Sequence, residues 1–233
     1  MNIYVLLPIL VSSIVSLLAV HWIYFKILKI AKVKNLVDNP DARKLQKAPV
    51  PVVGGIAVFF GVAFGVLAGT VLQFAFNQEV TDANIYFTST RLIPVVLAMV
   101  IMLYTGTMDD IVGLTPLSRI VIETLVILCM IFSTGLCIDS LHGLWGIYDF
   151  SWWIGVPLTI LTGVGIVNAV NMVDGVNGLS SGLCITCSIL FGIAFLFKGD
   201  VVNAMLSFCM AGSLFLFFVH NVFGDKSRMF IGD

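Results

Sequence analysis

Charge is the scarcest property of this chain. Asp, Glu, Lys and Arg together make up 11 % of its 233 residues, against 59 % for the apolar types. Mean hydropathy is +1.07. A soluble globular domain carries about a quarter charged residues, so a water-exposed surface on all sides is excluded. There are five cysteines, and most fall inside apolar segments, which excludes a disulfide framework. Cys184 and Cys187 form a C-x-x-C with no redox or zinc context around it, and they read as small helix-packing residues. The three histidines, His21, His142 and His220, are far apart in sequence and show no metal-ligand spacing. The first apolar stretch lacks a positive leading region and a small-x-small cleavage site, so it does not read as a signal peptide. Soluble domains, low-complexity tracts and internal repeats are also missing from the pattern.

What is present is a series of long hydrophobic runs. A membrane-spanning helix needs about 20 apolar residues. Seven candidates meet or approach this length: 3–28, 52–76, 92–106, 117–137, 152–170, 180–197 and 203–222. The third is short and carries Pro94. Backbone polar groups in lipid must be satisfied within the segment, so these are helices and the fold is all-α and polytopic. The whole chain, 1–233, reads as a single integral membrane domain.

The few charges are segregated. Lys26, Lys29, Lys32, Lys34, Arg43, Lys44 and Lys47 crowd around the loop after the first run, and Lys226 and Arg228 follow the seventh. Arg91 and Lys198 are the basic residues in loops of the other parity. The positive-inside rule then places the N-terminus outside and the basic loops in the cytoplasm. The Lys-rich loop is short and tied between two spans, which argues against a nucleic-acid partner. Trp145, Tyr148, Trp152 and Trp153 near the external loop 139–151 read as an interfacial aromatic belt. Glu123, inside the fourth run, stands four residues after Arg119. That spacing puts both on one helix face and predicts a local ion pair that lowers the cost of burial, with Arg119 facing an anionic substrate as the functional alternative.

Three polar patches interrupt the apolar sequence: YTGTMDDIVG (Tyr104 to Gly113), NAVNMVDGVNG (Asn168 to Gly178) and RMFIGD (Arg228 to Asp233). Two helices separate each patch from the next, so all three return to the same membrane face. Asp109 and Asp110 are adjacent carboxylates that repel one another and call for a compensating cation. Asn168, Asn171 and Asp174, spaced by three, form one stripe on a helix. Gly175 and Gly178 then break that helix and let backbone amides approach an anion or a base.

Together the patches resemble those of the polyprenyl-phosphate N-acetylhexosamine-1-phosphate transferases, glycosyltransferase family 4. The resemblance begins at KAPVPVVGG (Lys47 to Gly55), continues through MDD, NAVNMVDGVNGL and MFIGD, and so covers essentially the whole chain. The NMVDG wording is nearer to the O-antigen and common-antigen initiators than to the phospho-MurNAc-pentapeptide translocase. The resemblance implies transfer of a sugar 1-phosphate, GlcNAc-1-phosphate by default, from a UDP-N-acetylhexosamine to undecaprenyl phosphate. UMP is released, and synthesis of a cell-surface polysaccharide begins. It implies Mg²⁺, with Mn²⁺ as a substitute, and a multi-pass protein of the inner membrane with its site facing the cytoplasm. Membrane lipid surrounds such a protein, and a homodimer is among the partners the resemblance allows.

By the same resemblance, Asp109, Asp110 and Asp174 are the catalytic carboxylates, and Asp233 with Asp110 holds the metal. Lys47, Asn168, Asn171, Gly175, Val176, Asn177, Asn221 and Phe230 bind the substrates, with Asn221 and Phe230 at the uridine. Asn177 stands where many members have Asp. The family fold has ten or eleven helices, of which about seven are expected here, so the resemblance implies a C-terminal truncation. Two other classes fit the composition. One is a cation-coupled transporter, against which stands the gathering of carboxylates at one face, with Glu123 alone near a midplane. The other is an inactive remnant or membrane scaffold.

Overall fold

The structure, a computed structural model, describes residues 3–40, 48–76, 82–224 and 228–232, with backbone alone at 82–88 and 91. Seven helices long and apolar enough to cross a membrane lie among the described residues. They are α1 (Ile3–Lys34), α2 (Gly54–Phe76), α3 (Asp82–Val112), α4 (Pro116–Thr134), α5 (Trp152–Asp174), α6 (Leu179–Phe197) and α7 (Val201–Phe223). The all-α polytopic class expected from composition is what the chain adopts.

Two helices outrun their sequence-based limits. The third apolar run ends near residue 106 by hydropathy, but α3 continues to Val112. Its hydroxyls make this possible: Thr105 Oγ1 donates to Ile101 O at 2.8 Å and Thr107 Oγ1 to Leu103 O at 2.7 Å, so neither needs water. Gly113, in the left-handed region at φ +76°, then donates its N–H to Asp109 O and stops the helix. The first helix likewise runs to Lys34, where a two-residue antiparallel ladder takes over. Strand β1 (Val37–Asp38) pairs with β2 (Val50–Pro51) in the register Val37 to Pro51 and Asp38 to Val50.

Start and stop signals set the α4 boundaries. Thr115 Oγ1 accepts from Ser118 N, and Pro116 fills the first helical position. Gly135 closes the helix at φ +70°.

Packing is uneven. α1 lies against α2 and α7, and α7 against α6. Along α2, Gly61, Gly65 and Gly69 face α1 and α7 so closely that a Cβ on Gly65 would stand 2.6 Å from Ser12 O and 2.9 Å from Cys209 Sγ. Small residues at four-residue spacing let membrane helices meet backbone to backbone. Hydroxyls reinforce the seam: Ser16 Oγ donates to Cys209 O at 2.7 Å and accepts from Ser213 Oγ at 2.5 Å. Nearer β2, Tyr24, Leu28, Val58, Leu214, Phe217 and Met229 form a buried cluster. In contrast, α3, α4 and α5 pack successively on one another as an arc with much less buried surface.

Candidate functional site

The three polar patches meet at one end of the bundle, and the segment after α7 is what joins them. Main-chain bonds stitch residues 230–231 to the start of α2. Phe230 N donates to Pro51 O at 2.8 Å, Gly54 N to Phe230 O at 3.0 Å and Gly55 N to Ile231 O at 2.6 Å. Asp174, the last residue of α5, accepts from Ile231 N at 2.9 Å and Gly232 N at 3.3 Å through Oδ2, and from Ser180 Oγ at 2.5 Å through Oδ1. Gly232 sits at φ +90°, and a Cβ there would lie 2.4 Å from Asp110 Oδ2 and 2.1 Å from Val52 O. Glycine is therefore required on two counts, conformation and space. This contact brings Asp110 of the first patch against the third patch, while Asp174 ties in the second.

The adjacent carboxylates have different surroundings. Asp109 Oδ2 accepts from Arg119 Nη1 at 2.7 Å, and its Oδ1 accepts from Leu114 N at 2.6 Å, with the side chain 9 % exposed. It pins the α3–α4 turn. Asp110 instead turns toward Gly232. The two carboxylates thus point to different neighbours, Asp109 to the α3–α4 turn and Asp110 to the third patch.

Between α2, α3, α4, α5, α6 and α7 lies a cavity of about 500 Å³. Asp109, Arg119, Asn171, Asp174 and Gly232 line it, together with a larger apolar part that includes Phe59, Met99, Leu103, Met210 and Phe191. It is a cavity with polar groups of both signs and a greasy interior.

The sequence-predicted residues divide into those the fold brings to this cavity and those it does not. Asp109, Asn171 and Asp174 line it, and Asp110 borders Gly232. Asn168 lies on the same stripe but donates to Glu123 Oε2 at 2.6 Å and to Val164 O at 2.9 Å, so its amide is committed to helix packing. Gly175, Val176 and Asn177 form the exposed turn into α6; Gly175 keeps right-handed helical angles, and Gly178 at φ +74° is the residue that breaks.

Two residues expected at the uridine, Asn221 and Phe230, are buried and bonded within the protein. Asn221 is 2 % exposed, with its Oδ1 accepting from Gly178 N and its Nδ2 donating to Met229 O, both at 2.7 Å. Both of its polar atoms are engaged inside the protein, where they fasten α7 to the α5–α6 turn and to the 228–232 segment. Phe230 is 5 % exposed, its ring inside the protein, and it serves through its main chain. Lys47 and Asp233 lie outside the described residues.

The expected Arg119–Glu123 ion pair is corrected. Among the described residues, Arg119 crosses to Asp109 on α3 and Glu123 crosses to Asn168 on α5. A cross-helix partner competes with the i,i+4 neighbour and wins, because it satisfies a group that would otherwise be buried alone.

Sequence reasoning missed the α6 wall. Ser180, Cys184, Cys187 and Ser188 all line the cavity, so Cys184 and Cys187 are wall residues as well as packing residues. Their three- and four-residue spacing was the available signal. It was masked because each residue type is also an ordinary helix-packing choice in membranes.

A divalent cation fits this site only in part by protein groups. Among the described residues no three His, Cys, Asp or Glu converge on a point. Mg²⁺ commonly takes one or two carboxylates and completes its shell with water and substrate phosphates, and Asp110 beside Gly232 suits that mode.

The sequence description of Glycosyl transferase family 4 matches residues 92–233. A protein of Bacillus subtilis (strain 168) named probable undecaprenyl-phosphate N-acetylglucosaminyl 1-phosphate transferase is 32 % identical over 98 % of this chain and 59 % of its own length. Proteins of Yersinia pestis and Escherichia coli (strain K12) named undecaprenyl-phosphate alpha-N-acetylglucosaminyl 1-phosphate transferase are 28 % and 27 % identical over 88 % of this chain. The match covers 53 % and 52 % of those two proteins, so the chain spans little more than half the length of these relatives.

Proposed function

The chain belongs to glycosyl transferase family 4, and on that premise we propose that it serves the transfer of an N-acetylhexosamine 1-phosphate from a UDP-sugar to undecaprenyl phosphate. GlcNAc-1-phosphate is the first sugar to test, since the relatives carry it in their names. In the reaction an oxygen of the lipid phosphate bonds to the β-phosphorus of the donor. The bond from that phosphorus to the bridging oxygen breaks, and UMP leaves. The product, a polyprenyl-diphosphate sugar, would start a cell-surface polysaccharide.

One observation carries the reading: Asp174, Asn171, Arg119 and residues 231–232 line one largely apolar cavity, and Asp110 lies against Gly232. Such a cavity suits a substrate pair made of a charged nucleotide and a long hydrocarbon with a phosphate head. Asp110, with Asp233 next after Gly232 in the chain, would hold Mg²⁺. The ion, when bound, draws charge from the donor diphosphate. Asp110 also suits the lipid phosphate, whose proton it can take. Arg119, fixed by Asp109, offers positive charge to an anion in the cavity. Asp174 organises the backbone of residues 231–232, and Asn171 presents an amide toward the donor. Lys47 and the exposed turn Gly175–Asn177 belong at the nucleotide. The basic residues that follow α1 and α7 favour a site facing the cytoplasm across the inner membrane.

The test is release of UMP by the purified chain in nanodiscs, with undecaprenyl phosphate and UDP-GlcNAc, UDP-GalNAc and related donors offered separately. UMP appearing only with both substrates and Mg²⁺ present supports the proposal. UMP release that ignores the lipid, or none with any donor, overturns it for this chain.

A further inference from the structure

Glu123 lies inside the span of α4 and is 3 % exposed. A carboxylate at such a depth is costly, and the proposed chemistry makes no direct use of it. Its Oε2 accepts from Asn168 Nδ2 at 2.6 Å, and its side chain also reaches the cavity wall. Asn168 begins the stripe that ends at Asp174, six residues or about 9 Å further along α5. One turn before Glu123, Arg119 leaves the same helix for Asp109 on α3. Helix α4 therefore holds both carboxylate-bearing neighbours from successive turns.

The rest of the α4–α5 contact is farther from the site. Ile127 packs against Gly163, where a Cβ would stand 2.7 Å from Ile127 Cδ1. Beyond α4, Ile138 N donates to Thr159 Oγ1 at 2.8 Å. The Glu123–Asn168 bond is the polar tie at the site end of an otherwise apolar contact.

We infer that Glu123 is a positioning residue for the transfer proposed above, and the inference rests on that reading for its activity readout. Through Asn168 it fixes the rotation and height of α5, and with them the places of Asn171 and Asp174 opposite Asp110. The bond requires an oxygen acceptor and no net charge, because its partner is a neutral amide. Gln at position 123 supplies that oxygen with the same reach; Leu fills the space and supplies none.

The experiment uses the full chain in nanodiscs and three variants: Glu123→Gln, Glu123→Leu and the length-swapped pair Glu123→Asn with Asn168→Gln. Two readouts are taken. The first is kcat and KM for UMP release. The second is the distance between spin labels on Tyr104→Cys and Met172→Cys, both exposed positions on α3 and α5, with the five native cysteines replaced. Glu123→Gln keeps kcat within about twofold and leaves the distance distribution in place. Glu123→Leu lowers kcat about ten- to a hundredfold with KM little changed, and shifts or broadens the distribution. The swapped pair recovers most of both.

A Glu123→Gln variant as damaged as Glu123→Leu overturns the inference in favour of a role for the charge. Loss of kcat in Glu123→Leu with an unmoved distance distribution overturns it as well, as does unchanged behaviour on both readouts. Should the parent chain release no UMP, the functional proposal fails on that result, and the label distances alone decide whether Glu123 sets the place of α5.

Discussion

The α1–α2–α7 seam and the α3–α4–α5 arc are built from the same apolar alphabet and held by opposite means. In the seam, glycine and serine bring backbones together, and half of the most hydrophobic stretch of α7 is buried. In the arc, the corresponding share for α5 is 11 %, and single polar bonds between neighbouring helices take over: Arg119 to Asp109, Asn168 to Glu123. Lipid tails compete well with apolar side chains, so helix association in a membrane rests on close packing and on hydrogen bonds. The seam rests mainly on the first, with the Ser13 and Ser16 hydroxyls adding hydrogen bonds to α7. The arc uses the second, which leaves room for a cavity and lets a few side chains set its dimensions. The proposed chemistry lies where the two meet.

The sharpest way to break this comparison is Asp110→Asn. It removes a charge at the meeting line and keeps the side chain's size, so UMP release should fall about a hundredfold or more while the denaturation midpoint in mixed micelles moves far less than for a change in packing. A parallel loss of folded protein would mean that the arc carries stability after all. Next in size is Gly65→Val in the seam, whose Cβ has backbone and sulfur neighbours that cannot yield. About 3 kcal/mol of destabilisation is expected, read from the same denaturation curves. Any molecules that remain folded should have an unchanged KM for the donor. The smallest effect belongs to Ser16→Ala, which deletes one hydroxyl bonded across the seam to Cys209 O. Interhelical hydrogen bonds in membranes average about 0.6 kcal/mol, so a shift of that order sharpens the view that contact, more than hydrogen bonding, holds the seam. A loss comparable to that of Gly65→Val would reverse it.

Much of this molecule was legible in its sequence, for physical reasons that differ by region. Long apolar runs can become only helices in lipid, which made the seven spans readable; the limits of α3 were not, because threonines that bond their own helix look polar to a hydropathy count. The N-x-x-N-x-x-D stripe announced its face through spacing alone, and Asn171 and Asp174 do line the cavity. The partners of Asn168 and Arg119 were not legible, since nearest neighbours on one helix say nothing about which helix lies alongside. Asn221 shows the same limit from the other side. A polar residue near a site suggests a ligand, yet burial and two backbone partners make it a fastener. The glycine spacing of α2 stood in the sequence but gave no reading of the seam, because spacing does not reveal what the glycines face.

The stitching of residues 230–231 onto Pro51, Gly54 and Gly55 has a consequence in time. The ribosome delivers the first partner early and the second after α7 has been made, so the two meet only once α1 to α7 have been synthesised. Asp174 waits for the same late segment to donate to its carboxylate. A chain made only as far as α7 thus has Asp109, Asp110 and Asp174 but lacks residues 231–232, which line the cavity and bond to Asp174.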